Sequence, residues 1–539
     1  MPKNTKYLII YFGNEDLYVP KKYESSYIYS IGSGSPVNGN YISINNPLRL
    51  NEIAEELRDE YSEWIYKKNE IFLKNGLTFK NELSLFFLTD FSCKRSEFFD
   101  TYNTICNLSL ITERLNQSAI KDILLVNSST EFTTALESLF SSSSIKHLKK
   151  RKDDHQLLKY FVTNHIYFLK AALISFLNLF SKKQISRIKN LYFSRYPLHF
   201  IDDKDKEDKY GKIDKSCENY SISILTDDYH QKVTIREFLI YRKEVIKKRF
   251  SLIDDLIKIR DVFPAYLRGW SYLLKWKKVL NNRFIFKGID ITVFCQNELK
   301  FSFNRVIRLL MWVGVFERYF LSNSCEKFTY YLHEYPYGRI ISYVLSRSKS
   351  IQSVGMQHGP SSKRKLVYFL AKDEARSKKP FLKHAPIPDE VLAEDYESSK
   401  IYQHSGYQNV KIMKKITRLG YLDEIVKSKP LYTLICPGLH DGALILDSLK
   451  EEIINRESDL FIIKPHPRAS NEYLKALEYN NLTVSEEHVS KLLQSAKELV
   501  VTYSSVGMEA DYLDIPVRVI DVPGKVSESP LKDTNKPLI

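Results

Sequence analysis

The chain has 539 residues, 43% of them hydrophobic, and a formal net charge of +15. A chain of this length exceeds one core, so the sequence predicts a globular protein of two or three domains and excludes a disordered one. The positive charge favours an anionic partner, and nucleic acid is disfavoured because zinc-finger spacing, an aromatic RNA-binding signature and a lone basic recognition helix are all missing.

The first half of the sequence alternates strand-like and helix-like segments, which predicts an α/β domain with a parallel sheet. The predicted strands are 7–12, 83–89 and 122–126, and the predicted helices are 50–74 and 97–115. Asp90 follows the second strand, and Ser128 to Glu131 follow the third. Capping of the next helix explains the Ser128 to Glu131 segment, and a strand end that faces a substrate is the alternative.

The middle of the chain is predicted to be mainly helical, over 153–189, 233–280 and 303–321. An apolar stretch, Leu157 to Phe180, follows the basic run Lys146 to Lys152. Lysines within the apolar stretch make a membrane-spanning helix improbable. A buried helix hairpin and an amphipathic helix lying on a membrane surface both remain open.

The second half again alternates strands and helices. The predicted strands are 328–333, 351–356, 410–413, 431–436, 460–464, 481–484, 498–503 and 516–521, and the main helices are 441–457, 471–479 and 505–512. We expect an N-terminal α/β domain over 1–325 with helical insertions at about 150–190 and 233–321, a C-terminal α/β domain over 326–521, and a tail over 522–539. The tail is expected to pack loosely or to cross back to the first domain.

Three polar segments follow β-prone runs in this half: Gln357-His358-Gly359, Lys464-Pro465-His466-Pro467, and Ser504-Ser505 with Gly507 and Glu509 just after. Open α/β sheets bind ligands at the carboxyl ends of their strands. The three segments therefore predict a cleft for a nucleotide or a sugar nucleotide.

The residue types suit phosphate chemistry. Prolines hold His466 rigidly, and an imidazole near a phosphate can donate a hydrogen bond that offsets charge on a leaving group. Hydroxyls of Ser504 and Ser505 at a helix start can bind an anion, and Glu509 can reach a ribose hydroxyl. Loop or helix capping is the alternative for each of these segments.

Two further positions carry weaker signals. Gln357 and His358 could contact the donor or the acceptor, or could be structural. Gly438, in Pro437-Gly-Leu before a helix, would let the backbone approach a phosphate closely. Its surroundings match neither a Walker loop nor the G-x-G-x-x-G pattern.

The order Gln-His-Gly at 357–359, Pro-Gly-Leu at 437–439, Lys-Pro-His-Pro at 464–467 and Ser-Ser-x-x-x-Glu-Ala at 504–510 resembles bacterial surface-carbohydrate glycosyltransferases of the GT-B type. Among these the chain is most similar to enzymes that use CMP-activated acidic sugars, the sialyltransferases and the retaining β-Kdo transferases (Kdo is 3-deoxy-manno-octulosonic acid). The similarity covers about 190–525. It implies a GT-B-like α/β fold in which two Rossmann-like domains face a cleft, with extra helices in the N-terminal half.

The resemblance also implies roles for single residues. Lys464, His466 and Pro467 would hold CMP together with Gly438 and Gln357, Ser504 and Ser505 would bind its phosphate, and Glu509 its ribose. A CMP leaving group needs no bridging metal, so neither a metal site nor a cofactor is expected.

The catalytic group is less well defined. An inverting transferase needs a base and a retaining one can use a carboxylate nucleophile. The candidates are His358, Glu131, Asp228, Glu334 and Asp90.

Three functions are compatible with the sequence. The first is transfer of an acidic sugar from a CMP donor to a bacterial surface glycan or lipid-linked acceptor. The second is a UDP-sugar, GDP-sugar or CDP-polyol transferase of the same fold. The third is a non-catalytic assembly scaffold that docks on membranes. Scattered cysteines without a C-x-x-C pair fit a cytoplasmic protein, with peripheral association on the inner face of the membrane as an option.

Overall fold

The computed structural model describes residues 7–533 apart from 14–17, 33–39, 97, 117–119, 121, 141–143, 151–155, 181–188, 195–199, 202–205, 208–209, 213–218, 224–232, 247–249, 323–324, 333–335, 349, 440, 467–468, 470–471 and 475–478. Three of the predicted site residues, Asp228, Glu334 and Pro467, lie outside the described residues.

The first unit is built around a parallel five-stranded sheet of order β3-β2-β1-β6-β7. Its strands are β1 (Tyr7–Phe12), β2 (Tyr27–Ile31), β3 (Ile42–Ser43), β6 (Asp122–Ser128) and β7 (Ser144–Lys150), and a short antiparallel pair is formed by β4 (Thr78–Phe79) and β5 (Leu83–Ser84). The helices are α1 (Pro47–Lys67), α2 (Asn69–Lys74), α3 (Asp90–Cys93), α4 (Thr101–Leu115) and α5 (Thr130–Leu139).

The predicted strand 83–89 is wrong for most of its length. Residues Leu85–Leu88 form a 3-10 helix, and all four side chains are buried. A continuous apolar run has the same pattern in a buried strand and in a buried helical turn, so periodicity does not separate the two.

The second unit contains a parallel seven-stranded sheet of order β13-β12-β8-β16-β17-β20-β21. The elements before α9 are α6 (Gln156–Leu177), β8 (Asn190–Ser194), β9 (Phe200–Ile201), β10 (Lys206–Glu207), β11 (Gly211–Lys212), β12 (Asn219–Ser223), α7 (Ile235–Ile246), β13 (Phe250–Leu252), α8 (Ile259–Leu280), β14 (Ile285–Phe286) and β15 (Ile289–Asp290). They are followed by α9 (Thr292–Ser322), β16 (Lys327–Tyr331), α10 (Pro336–Leu345), β17 (Gln352–Met356), β18 (Ala375–Arg376), β19 (Ala385–Pro386), β20 (Glu390–Ala393), α11 (Tyr396–His404) and β21 (Val410–Ile412).

This sheet does not follow the domain boundary that the sequence predicted after residue 325. Strands β8, β12 and β13 precede that position, and β16, β17, β20 and β21 follow it. The central contact is between β8 and β16, where Asn190 pairs with Lys327 across α7, α8 and α9. Such long-range pairing leaves no mark in the local sequence pattern.

The third unit is a parallel five-stranded sheet of order β24-β23-β22-β25-β26, called the C-terminal sheet. Its elements are β22 (Tyr432–Cys436), α12 (Gly442–Asn455), β23 (Leu460–Ile463), β24 (Leu482–Val484), α13 (Val489–Leu493), β25 (Ala496–Val501), α14 (Val506–Tyr512) and β26 (Val517–Val519). The five predicted strands of this region are confirmed, because each is a local run of apolar, β-prone residues.

Both faces of the C-terminal sheet are covered, as a parallel sheet requires. Ile435 and Val500 point to the face that α12 covers, whereas Leu434 and Leu499 point to the face covered by α13 and α14. The alternation follows from the two-residue period of a strand.

The three large parallel sheets share one strand order. In each, the first strand of the sheet lies between the second and the fourth, so the chain winds outward in one direction and then in the other. The α/β, Rossmann-like fold class is therefore confirmed, with three such sheets in the described part of the chain. The reversal creates a switch point between first and fourth strands, where open α/β sheets bind ligands.

The tail returns to the first unit. The carbonyl of Pro523 accepts from the Gly32 amide (3.0 Å), and the Val526 amide donates to Asn103 (2.9 Å). This is the second of the two arrangements expected from the sequence. None of the helices in the described ranges is both long and apolar enough to cross a membrane.

Candidate functional site

The switch point of the C-terminal sheet lies between β22 and β25, where Cys436 pairs with Val501. On the other side of β22, Ile435 pairs with Ile463, and the Lys464 amide still bonds the Ile435 carbonyl at 2.9 Å. Strands two apart in a sheet are separated by about 10 Å. Residues 437–439, 441–442, 464–466 and 502–505 therefore lie side by side at one edge of the sheet, and we call them the switch-point edge.

Gly438 is required by close packing at this edge. Its amide donates to the Thr502 hydroxyl (3.4 Å), and a Cβ at this position would lie 2.8 Å from both Asp441 Oδ1 and the Tyr503 ring. Gly442 is similarly constrained, because a Cβ there would clash with the Tyr473 ring. The two rings lie directly against the loop backbone and form walls of the edge.

Lys464 and His466 follow β23, on the flank of the edge opposite Ser504 and Ser505. The Lys464 ammonium donates to the Glu486 carbonyl beyond β24 (3.2 Å), and both side chains are half-buried. The His466 carbonyl accepts from the Ala469 amide (2.9 Å). One fixed cation and one imidazole thus stand at the end of a buried strand.

Ser504 and Ser505 follow β25. The Ser504 hydroxyl accepts from the Val506 amide at a long 3.4 Å, and its carbonyl accepts from the Gly507 amide (3.1 Å). Ser505 is exposed and, among the described residues, its side chain makes no capping hydrogen bond to α14. Capping therefore leaves the Ser505 hydroxyl unexplained.

The 3-10 helix Thr417–Glu424 bonds both to Glu509, after this edge, and to the seven-stranded sheet. Glu509 accepts from the Tyr421 hydroxyl (2.6 Å), and Arg418 forms a buried ion pair with Glu394 (2.8 Å) just after β20. Burial opposes the charge of Arg418, but the Glu394 hydrogen bond and the nearby Glu509 carboxylate raise its pKa. The Glu394 amide in turn donates to the Gln357 side chain (3.0 Å).

Gln357 and His358 lie at the carboxyl edge of the seven-stranded sheet. Gln357 is buried and its amide nitrogen donates to the Gly359 carbonyl (2.8 Å) and the Ser398 hydroxyl (3.2 Å), so its polar atoms are directed at protein. The half-buried His358 ring lies 5.0 Å from Tyr331, which stacks on Tyr210. His358 thus sits at this sheet's own edge, on an aromatic column.

The described carboxylate candidates lie in the first unit. Glu131, in the first turn of α5, accepts from the Asn297 amide (3.0 Å), and the cap of that helix is Ser129. Asp90 is fully buried and accepts from Arg305 (2.8 Å) and Arg95 (3.2 Å). Its surroundings are those of a structural ion pair.

Sequence reasoning missed Tyr503 of the edge, and it missed Arg418 and Tyr421, which link Glu394 and Glu509 to one 3-10 helix. None stands in a recognisable motif. Arg418 and Tyr421 come from a 3-10 helix, Thr417–Glu424, that follows the seven-stranded sheet. The only sequence signal for Tyr503 is the glycine at position 438, which leaves space for a neighbouring group.

Comparisons with known proteins add little. No family model matches the sequence, and no curated protein matches it. Solved structures that overlap it include UDP-N-acetylglucosamine 2-epimerase from Rickettsia bellii (11% identity, TM-score 0.33, 62% of this chain and 78% of that one). Others are the wall teichoic acid polymerase TagF (12%, 0.30, 68% and 79%) and UGT2 from Phytolacca americana (8%, 0.32, 65% and 83%). Similarity this low carries no conclusion about the activity of the chain.

Proposed function

We propose that this chain is a GT-B-type glycosyltransferase that moves an acidic sugar, Kdo-like or sialic-acid-like, from a CMP donor to a bacterial surface glycan or glycolipid. The observation that carries the proposal is the switch-point edge. There, Lys464 and His466 follow β23, and Ser504 and Ser505 follow β25, on either side of β22 where an α/β sheet binds its ligand.

The donor would lie across β22 with its phosphate between the two flanking segments. Ser504 and Ser505 would donate to phosphate oxygens from one side, and Lys464 and His466 from the other. Charge-assisted hydrogen bonds of this kind strengthen as CMP leaves and its phosphate gains charge. Glu509, oriented by Tyr421, would accept from the ribose.

The acceptor would approach from the seven-stranded sheet. The bonds that join Gln357 to Glu394 and Glu394 to Arg418 support a fixed distance between the two sheet edges. His358 is the described candidate at that edge for the group that takes the acceptor proton. Glu131, Asp228 and Glu334 remain candidates for the carboxylate role.

Nucleotide binding tests the proposal directly. CMP should raise the stability of the protein by RT ln(1 + [L]/Kd), about 2.7 kcal/mol at a hundredfold excess over Kd. The measurement is thermal denaturation with CMP, CDP, UDP and GDP in turn. Stronger stabilisation by CDP, UDP or GDP would favour the corresponding sugar or polyol transferase, and indifference to all four would favour the non-catalytic scaffold.

A pair of double variants localises the effect. Ser504→Ala/Ser505→Ala should weaken CMP binding at least ~10-fold, because contacts to the phosphate are lost. Ser428 and Ser495 provide the matched control, since they bond each other (2.6 Å) at the opposite end of β22 and β25. Ser428→Ala/Ser495→Ala should leave CMP affinity unchanged, and equal effects of the two variants would contradict the phosphate site.

A further inference from the structure

Two neighbouring helices expose regular apolar stripes. On α6 the exposed fractions of five large side chains lie between 46% and 72%, and on α8 between 41% and 70%. The α6 stripe consists of Val162, Ile166, Leu169, Leu173 and Phe176, and the α8 stripe of Ile259, Phe263, Leu267, Trp270 and Leu274. Spacings of three and four residues keep each set on one side of its helix.

The two stripes lie on the same side of the helix pair. His165 of α6 contacts Tyr266 and Trp270 of α8, whereas Asn178, just after α6, bonds the Asp254 and Ile257 carbonyls before α8, so the helices are antiparallel. Viewed from its N-terminus, each helix carries its stripe on the same side, clockwise or anticlockwise, of the residues that touch the other helix. In an antiparallel pair that places both stripes on one surface, which we call the docking face.

The exposed charged residues that α6 and α8 themselves contribute are basic. Helix α6 contains no acidic residue in its sequence. The single acid of α8, Asp261, is buried against Arg318. Arg260, Lys277 and Lys278 of α8 are exposed beside its stripe.

We propose that the docking face binds the surface of an anionic lipid bilayer, with α6 and α8 lying in the plane of the interface. Ten large apolar side chains on one surface exceed the scattered exposure that is usual in soluble proteins. An apolar face with a basic flank and an interfacial Trp is the pattern of an in-plane membrane helix. The inference does not depend on glycosyl transfer.

The location of the charge differs from the sequence expectation. Lys146 to Lys150 belong to β7 at an edge of the first sheet, so the basic run is not an extension of α6. The exposed cations next to the docking face come from α8, whose stripe the sequence analysis did not single out.

The test is vesicle flotation of the full chain without nucleotide. Vesicles of phosphatidylcholine with phosphatidylglycerol should carry the protein, and pure phosphatidylcholine should carry at least ~10-fold less because the basic flank is not engaged. Leu169→Glu/Phe263→Glu, with one change on each helix, should lower binding to the acidic vesicles at least ~10-fold. Circular dichroism verifies that this variant is folded.

The control is Val426→Glu/Leu431→Glu, at positions that are 80% and 56% exposed in the segment before β22. It should bind acidic vesicles like the unchanged protein. Absence of vesicle binding, or equal losses in the two variants, would overturn the proposal. So would sedimentation showing that the face pairs two copies of the chain and that Leu169→Glu/Phe263→Glu separates them without changing flotation.

Discussion

At the switch-point edge, one residue must be small and another must have a restricted backbone. Gly438 leaves room for the Tyr503 ring, and the buried Pro465 restricts the backbone just before His466. Neither residue is a large side chain packed in the hydrophobic core. Substitutions here should therefore separate function from stability more cleanly than substitutions in the core.

His466→Ala should lower transfer from a CMP donor at least ~100-fold, because a charge-stabilising donor is lost. The melting temperature should change by only a few degrees, since the ring is half-buried. Transfer assays and thermal denaturation measure the two effects. His384→Ala, which removes a similarly half-buried ring bonded to the Asp373 carbonyl, is the control and should retain activity. Parallel loss of activity and stability in His466→Ala would make His466 a packing residue.

Gly438→Ala should lower stability by about 1–3 kcal/mol, since the new methyl overlaps Asp441 and the Tyr503 ring. It should also weaken CMP binding by displacing the ring. Gly420→Ala is the matched control, because the nearest atom to its Cβ would be the Lys415 Cε at 3.9 Å. Urea unfolding and CMP titration of both variants decide whether the close approach matters.

At the scale of secondary-structure elements, helix α9 packs against the first unit partly through buried polar groups. Glu298 of α9 is 3% exposed and accepts from the Thr101 hydroxyl of α4. Burial raises its pKa to about 8, with the Asp90 carboxylate adding to the effect and the Thr101 hydrogen bond opposing it. The carboxyl is therefore protonated at neutral pH, and it packs between helices as a neutral group.

The pH dependence follows from this shift. Because the folded pKa of Glu298, about 8, lies above the ordinary carboxyl value of 4.5, the folded chain holds this proton more tightly than the unfolded chain. The contribution of Glu298 is complete below the unfolded pKa and is lost as pH rises through about 8. Glu298→Gln should match the unchanged protein in acid and exceed it in unfolding free energy at pH 9.

Urea unfolding at pH 5, 7 and 9 checks this prediction. Glu397→Gln is the control, because Glu397 is 68% exposed and pairs with Lys400 at the surface. Its difference from the unchanged protein should be within about 1 kcal/mol at every pH. A Glu298→Gln difference that stays constant with pH would show that Glu298 does not titrate in this window.

At the scale of the whole molecule, the tail ties the three units together. The fully buried Arg364, after β17, donates to the Ser527 and Ser529 carbonyls (2.6 and 3.1 Å) and pairs with Glu55 of α1 (2.5 Å). Lys525 lies over the Tyr503 ring at the switch-point edge (4.5 Å). One segment thus contacts the first unit, the loop after β17 and the candidate site.

A substitution at Gly524 measures how much the contact between the tail and the first unit stabilises the folded protein. Its φ is +67°, and a Cβ would lie 2.9 Å from both the Ile31 Cα and the Ser30 carbonyl oxygen. Gly524→Ala should cost about 2–4 kcal/mol, the sum of backbone strain and overpacking. Gly288→Ala has a similar φ of +85° with nothing within 4 Å of its Cβ, and should cost about 1 kcal/mol. Equal urea midpoints for the two variants would show that the tail contact adds nothing.

The sequence by itself determined the α/β class, the strands of the C-terminal sheet and the meeting of Lys464, His466, Ser504 and Ser505 at one edge. These features follow from local runs, because a short apolar β-prone segment followed by polar residues specifies both a strand and its end. The strand prediction for 83–89 was wrong because its sequence pattern does not separate a buried strand from a buried helical turn.

Only the tertiary structure decided which strands share a sheet, where the tail goes and which helix faces stay exposed. The pairing of β8 with β16, the Arg418–Glu394 ion pair and the second apolar stripe on α8 all depend on contacts between distant segments. Periodicity reports that a helix has an apolar side, but whether that side is covered depends on what else folds against it. Residue partners far apart in the chain leave no local signal, so the structure alone assigns them.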